Sequence, residues 1–175
     1  MLAHDEVLTR MLENTYTKAD FYRRTDLMQE FLEHVLFNGE KHSDSRALRF
    51  RDWEKGRDDE ATFGAVVAWG DTVLDSFTPE NLHVRIKEQK QELETLPEIV
   101  LYVPVALSPL HVASLGAWCR MHVRKNTLLR LMVEPAVAGG CAFAFDNVYH
   151  DFSLRYFMQK NHPALIELVR TYGVT

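Results

Sequence analysis

Residues 128–158 constrain the fold most tightly. Leu128-Leu129-Arg130-Leu131-Met132-Val133 is an apolar run of strand length, and it stops at Glu134-Pro135, where proline has no N–H to give a sheet. Ala136-Val137-Ala138 then leads into Gly139-Gly140, a pair free to turn a corner that side chains would obstruct. Cys141–Phe145 resumes a strand, Asp146-Asn147 tolerates left-handed turn geometry, and Val148–His150 runs back. Asp151-Phe152-Ser153 opens a helix carrying Leu154, Phe157 and Met158; either Asp151 or Ser153 is able to accept from an orphan N–H one turn on. Strand, glycine corner, hairpin and helix follow in that order.

Upstream, the period changes. Leu27, Met28, Phe31, Leu32, Val35 and Leu36 recur at three- and four-residue spacing, which predicts a helix ended by Asn38-Gly39. Ser43 to Glu60 is highly charged, with Ala47, Leu48, Phe50 and Trp53 to bury, and reads as a surface helix or ordered loop. Ala61–Phe77 is more apolar and fits a bundle centre. Thr78-Pro79-Glu80 is a helix-start signature, and Leu82, Ile86, Leu93 and Leu96 fall on one side of the helix that follows. Pro97 ends it. Glu98–Val103 is a β-branched-rich strand, and Ser108-Pro109 starts a helix to about Arg124 with a stripe of Leu110, Ala113, Ala117, Trp118 and Met121. A last helix runs from Pro163 to Tyr172, ended by Gly173.

The expected class is α+β. A helical bundle over 1–77 is followed by a linking helix over 78–96 and a small α/β domain over 97–175 with a mixed sheet of about four strands. A chain of 175 residues supports a sizeable core without staples.

Charge divides along the same line. Residues 1–95 carry 13 Lys+Arg against 20 Asp+Glu, a net of −7, whereas residues 96–175 carry 7 against 5, a net of +2. Neither half supplies the concentrated basic face of a nucleic-acid binder, and the contrast suits two unlike protein partners. Two cysteines, Cys119 and Cys141, form no disulfide framework, and no charged-then-apolar leader is read at the start, so a reducing compartment is expected. Ala61–Trp69 and Leu131–Phe145 fall short of the roughly 20 apolar residues that span a bilayer, so no direct membrane insertion is expected.

Residues able to carry chemistry do not converge in the sequence. Gly139-Gly140 lacks the Lys and Ser/Thr that make a phosphate cradle; Cys-Ala-Phe follows instead. The eight histidines show no zinc spacing. His150 beside Asp151 suggests a dyad only if a nucleophile and an orienting group join it. Glu134 and Asp151, acids in an apolar stretch, suit general acid–base work or, more commonly, caps. Buried cysteines behave as small hydrophobes.

The order Glu134-Pro135, Gly139-Gly140, alternating strand, tight turn, Asp151-Phe152-Ser153 resembles the closing segment of the delta subunit of F-type ATP synthase, the oligomycin-sensitivity-conferring protein of mitochondria. Members carry Val-Asp-Pro, Leu-Ile-Gly-Gly and Asp-Gly-Ser there. The likeness covers about Leu101 to Met158, roughly a third of the chain. Leu107-Ser108, Leu115 and Lys125 also fit its pattern. Asn126 stands where a lysine is common, Ala138 replaces isoleucine, Phe152 replaces the glycine between Asp151 and Ser153, and Asp146 replaces the turn glycine. The chain thus looks like a divergent member.

The resemblance implies a non-catalytic connector with no cofactor and no metal. Its partners would be the alpha subunits of the catalytic head and the b subunits of the peripheral stalk. It would lie on the cytoplasmic face of the inner membrane, or the matrix side, as a peripheral subunit in proton-driven ATP synthesis. Glu134, Pro135, Gly139, Gly140, Asp151 and Ser153 would be structural motif residues. Leu110, Trp118, Tyr156 and Phe157 are candidate partner contacts, although large aromatics are more often core. The alternatives are a small α/β enzyme with a site near Gly139, Gly140, His150 and Asp151, or an adaptor domain for another partner.

Overall fold

A computed structural model of the chain describes residues 4–37, 45–53 and 60–172. The class is α+β, with helices first and a four-stranded sheet after them. Two compact units form: a helical unit of 1–97 with 116–128, and an α/β unit of 98–115 with 129–175. The boundary therefore differs from the expected one at 77. The helix expected as a linker packs on its own bundle, and the second half of a later helix joins it.

In the helical unit, α1 (His4–Leu12) is followed by α2 (Lys18–Phe37), α3 (Arg46–Trp53), α4 (Glu60–Leu74) and α5 (Leu82–Thr95). Thr17 starts α2: its Oγ1 accepts from Asp20 N at 3.0 Å and donates to the Asp20 carboxylate at 2.8 Å, a reciprocal cap. Phe21, Met28, Phe31, Leu32 and Val35 follow at helical spacing and are buried. The end of α2 expected at Asn38-Gly39 lies outside the described residues, as does the flanking part of the charged Ser43–Glu60 segment. Within that segment α3 forms, and fully buried Phe50 anchors it by meeting Phe31 edge-on at 5.0 Å between centroids and Phe63 of α4 at 5.5 Å.

Helix α4 is broken at Gly70, whose φ of 73° only glycine takes cheaply. The residue after the break serves another helix. Asp71 accepts from Ser45 Oγ at 2.6 Å and Ala47 N at 2.9 Å, capping the start of α3 from a distance. The Ser45 hydroxyl, then the Ala47 amide, hold the Asp71 carboxyl below its ordinary range. Helix α5 begins at Leu82 rather than at Pro79. Asn81 Oδ1 accepts Thr78 N at 2.8 Å, which folds 78–81 into a turn before the helix.

In the α/β unit, β1 (Glu98–Val103), β2 (Leu128–Val133), β3 (Gly140–Phe145) and β4 (Val148–Ser153) make one sheet in the order β2-β1-β3-β4. Leu128 N donates to Pro97 O at 2.9 Å and Glu134 N to Val103 O at 2.8 Å, the constant offset of a parallel pair. β1 with β3 and β3 with β4 are antiparallel, so the sheet is mixed. The crossover from β1 to β2 is α6 (Pro109–His122), whose first half counts with this unit. Asp146 and Asn147, at φ of 47° and 63°, close the β3–β4 hairpin. Helices α7 (Leu154–Lys160) and α8 (His162–Tyr172) complete the unit. β4 runs on through Ser153, so Asp151 and Phe152, expected at a helix start, are strand residues.

Candidate functional site

The glycine corner of the α/β unit is built almost entirely from backbone. Glu134 accepts from Ala136 N at 3.1 Å, which caps a 3-10 turn over Pro135–Val137. Ala138, Gly139 and Gly140 then take φ of 52°, 105° and 77°, three successive left-handed residues that swing the chain into β3. Gly140 lies opposite Ser153 in the β3–β4 ladder, and a side chain there would overlap the Phe152 carbonyl oxygen. Leu154 N donates to Gly139 O at 2.9 Å, tying the first residue of α7 to the corner. Ser153 is the helix cap, accepting from Tyr156 N at 3.1 Å. Asp151 braces that cap by accepting from Ser153 N at 2.8 Å. The Ser153 bonds, with Arg155 nearby, hold the Asp151 carboxyl below its ordinary range. All six motif residues are thus engaged in turning or capping the chain.

His150 and Asp151 do not converge. Neighbours in a strand face opposite sides, and the register places His150 with Phe143 and Asp151 with Ala142. His150 stacks on Phe143 at 4.8 Å, with Phe152 5.9 Å from Phe143, so the three rings form a ladder along one face of the hairpin. Phe152 is 64% exposed. On the other face Tyr149 meets Tyr102 edge-on at 6.0 Å. Among the described residues no group of three or more His, Cys, Asp or Glu side chains is placed to hold a metal ion. Among them, too, no helix is long and apolar enough to cross a membrane.

Leu110, Trp118, Tyr156 and Phe157 are all exposed, at 75%, 53%, 45% and 60%. Their core assignment is corrected. The stripe of Leu110, Trp118 and Met121 on α6 faces solvent, while Val112, Gly116 and Cys119 turn inward. The reason is Arg120. Its Nη1 donates to Leu12 O, its Nη2 to Thr15 O at 2.5 Å and its Nε to Thr127 O at 3.1 Å, and its guanidinium lies over the Tyr16 ring at 4.7 Å. This clamp sits at the C-terminal end of α1, where orphan carbonyls and the helix dipole favour a cation. Gly116 sits so close to the Tyr16 ring that a methyl group there would overlap it. Cys119 is buried, and that burial raises its thiol pKa; Cys141 is half-buried.

Sequence reading missed Arg120 because two of its three partners are backbone carbonyls more than a hundred residues away, which no side-chain pattern encodes. The available hint was small: an arginine one position after Cys119, beside a mid-helix glycine that invites a close neighbour.

The surface of the α/β unit carries large apolar side chains among its charged ones. Phe152, Leu154, Phe157 and Met158 are each at least half exposed, and α8 adds Leu168, Val169 and Tyr172. Neither α7 nor α8 buries a single residue. In chemical terms this is a rigid corner carrying an uncovered aromatic and aliphatic surface. No family model matches the chain, and none of the curated proteins matches it.

Proposed function

We propose that this chain is a non-catalytic peripheral-stalk connector of an F-type ATP synthase, joining the alpha subunits of the head to the b subunits of the stalk. The observation that carries the reading is the use made of the motif residues. Glu134, Gly139, Gly140, Asp151 and Ser153, on which the resemblance rests, are all committed to a braced corner. A connector under torque needs such stiffness and has no use for a reactive centre. The exposed apolar surface around α7 and α8 supports the same reading, since a contact face wants an apolar centre. The contrast of −7 and +2 between the two halves suits two unlike partners.

Affinity capture of the tagged chain from its native host tests this. The alpha and b subunits should co-purify, and removing the chain should leave ATP hydrolysis running while proton-driven synthesis fails. Capture without either subunit overturns the proposal. Deleting residues 162–175 refines it: folding should be unchanged, because α8 buries nothing, whereas retention of b should fall.

A further inference from the structure

We infer that α5 is a releasable strap on the helical unit, held by a rim of ion pairs over a polar inner face and opened selectively by salt. The inference does not depend on the connector reading. The inward residues of α5 are Leu82, Arg85, Ile86, Gln89 and Leu93, at helical spacing. Two of the five are polar. Gln89 is fully buried, yet neither its Oε1 nor its Nε2 has a hydrogen-bond partner among the described residues. An amide taken out of water and left unbonded opposes the packing that takes it there. Arg85 is also buried, its Nη1 donating to Ser76 O at 2.7 Å and its guanidinium lying 5.8 Å from the centre of the Phe77 ring.

The outer edge of α5 is tied differently. Lys90 pairs with Asp26 of α2 at 2.6 Å, and Glu94 accepts from both Lys18, at 2.7 Å, and Tyr22 Oη, at 2.5 Å. The Glu94 bond is the main reason that the Tyr22 phenol is pushed up to about 12. In each ion pair the carboxylate is more than half exposed, so dissolved salt reaches and screens it. An open surface groove of about 440 Å³ runs along α5 beside α2, lined by Tyr22, Gln29, His83, Ile86, Lys90 and Glu94. α5 packs on α1 and α2 more sparsely than α1, α2 and α3 pack on α4. At its start, Asn81 gives its side chain to Thr78 N and leaves the first turn of α5 without a side-chain cap. A helix with an unsatisfied inner face, sparse packing and a screenable rim is the low-stability element of its bundle.

Native-state hydrogen exchange on the full chain, read by mass spectrometry, tests this. Amides of α5 should exchange about tenfold or more faster than those of α2 and α4, a gap widening several-fold when salt rises to about 0.5 M. Gln89→Leu removes the unbonded amide and should slow α5 alone, by about tenfold. Should that variant misfold, Asp26→Asn breaks the rim from the α2 side and should speed exchange of α5 alone. Equal protection of α5, α2 and α4 in the unaltered chain overturns the inference. So does a response to salt, to Gln89→Leu or to Asp26→Asn that is shared equally by all three helices.

Discussion

The helical unit and the α/β unit treat apolar residues in opposite ways. Through α1–α5 almost every large apolar side chain at a helical-period position is buried, from Val7 and Met11 through Phe21, Phe31 and Phe63 to Leu93, and they join in one cluster. The α/β unit buries few: Ile99, Leu101, Val103, Val112, Leu129 and Val137, with Ala142. Most of the exposed large apolar residues of the described chain lie in that second unit, on β2, β4, α7 and α8. The difference teaches what holds each unit. The helical unit is stabilised by burial. The α/β unit relies more on backbone devices, the sheet ladders, the glycine corner and the Ser153 cap, and leaves most of its large apolar side chains exposed.

The sharpest way to break that contrast is to delete a ring from each side. Phe31→Ala should cost about 3–5 kcal/mol, because a fully buried aromatic leaves both lost transfer energy and a cavity. Phe157→Ala, 60% exposed in the isolated chain, should change stability by no more than ~0.5 kcal/mol. Hydrogen exchange across a urea titration, read on α2 and α4 amides for the first variant and on β3 and β4 amides for the second, measures each in its own unit. Comparable losses would mean that the two units are held alike. Next in size is Arg120→Ala, which strips three carbonyls of a charged donor and should destabilise the helical unit by about 3 kcal/mol. Arg120→Lys should recover little, because a single ammonium cannot span the fan of acceptors that the guanidinium reaches.

How far the sequence was legible follows the same divide. The class, the four strands, the hairpin at Asp146-Asn147 and the apolar centre of α4 were readable because each rests on local signals: period, β-branched runs and turn residues. Positions 134, 139, 140, 151 and 153 were expected to be structural chiefly through the family resemblance, and the geometry decides that Ser153 caps while Asp151 braces. Three things were not readable. The solvent-facing stripe of α6 looked like a core stripe because hydrophobic spacing does not say which side a neighbour occupies. Helix α5 looked like a linker because amphipathicity does not say against what the apolar side lies. The Arg120 clamp depends on carbonyl positions that exist only after α1 and α2 have packed.

A smaller effect probes the corner itself. Gly140→Ala forces a Cβ into a left-handed residue and against the Phe152 carbonyl oxygen, so about 1–3 kcal/mol should be lost from the α/β unit. Gly64→Ala is the control, since an added methyl there meets nothing and the site is helical. If hydrogen exchange in β3 and β4 is unchanged by Gly140→Ala, the corner is softer than its geometry implies, and a stiff platform is no longer a reason to assign a mechanical role.

The smallest effect separates the units by pH. Asp71 and Asp151 both have carboxyl groups held below their ordinary range, the first chiefly by Ser45 and the second chiefly by Ser153. A depressed folded-state pKa stabilises the fold above the unfolded value of about 3.9, and the contribution disappears as pH falls through the folded value. Both units should therefore weaken in acid, from about pH 4 downward, and neither should gain there. Asp71, reaching from behind the Gly70 break to cap α3, should govern the helical unit alone, while Asp151 should govern only the hairpin and α7. Following exchange of α3 and of α7 amides in Asp71→Asn and Asp151→Asn separates the two. Each substitution should flatten the acid response of its own segment and leave the other's intact. A single substitution that flattened both would mean that the two units share one cooperative transition, and the contrast between a buried core and a braced platform would then be one of composition rather than of stability.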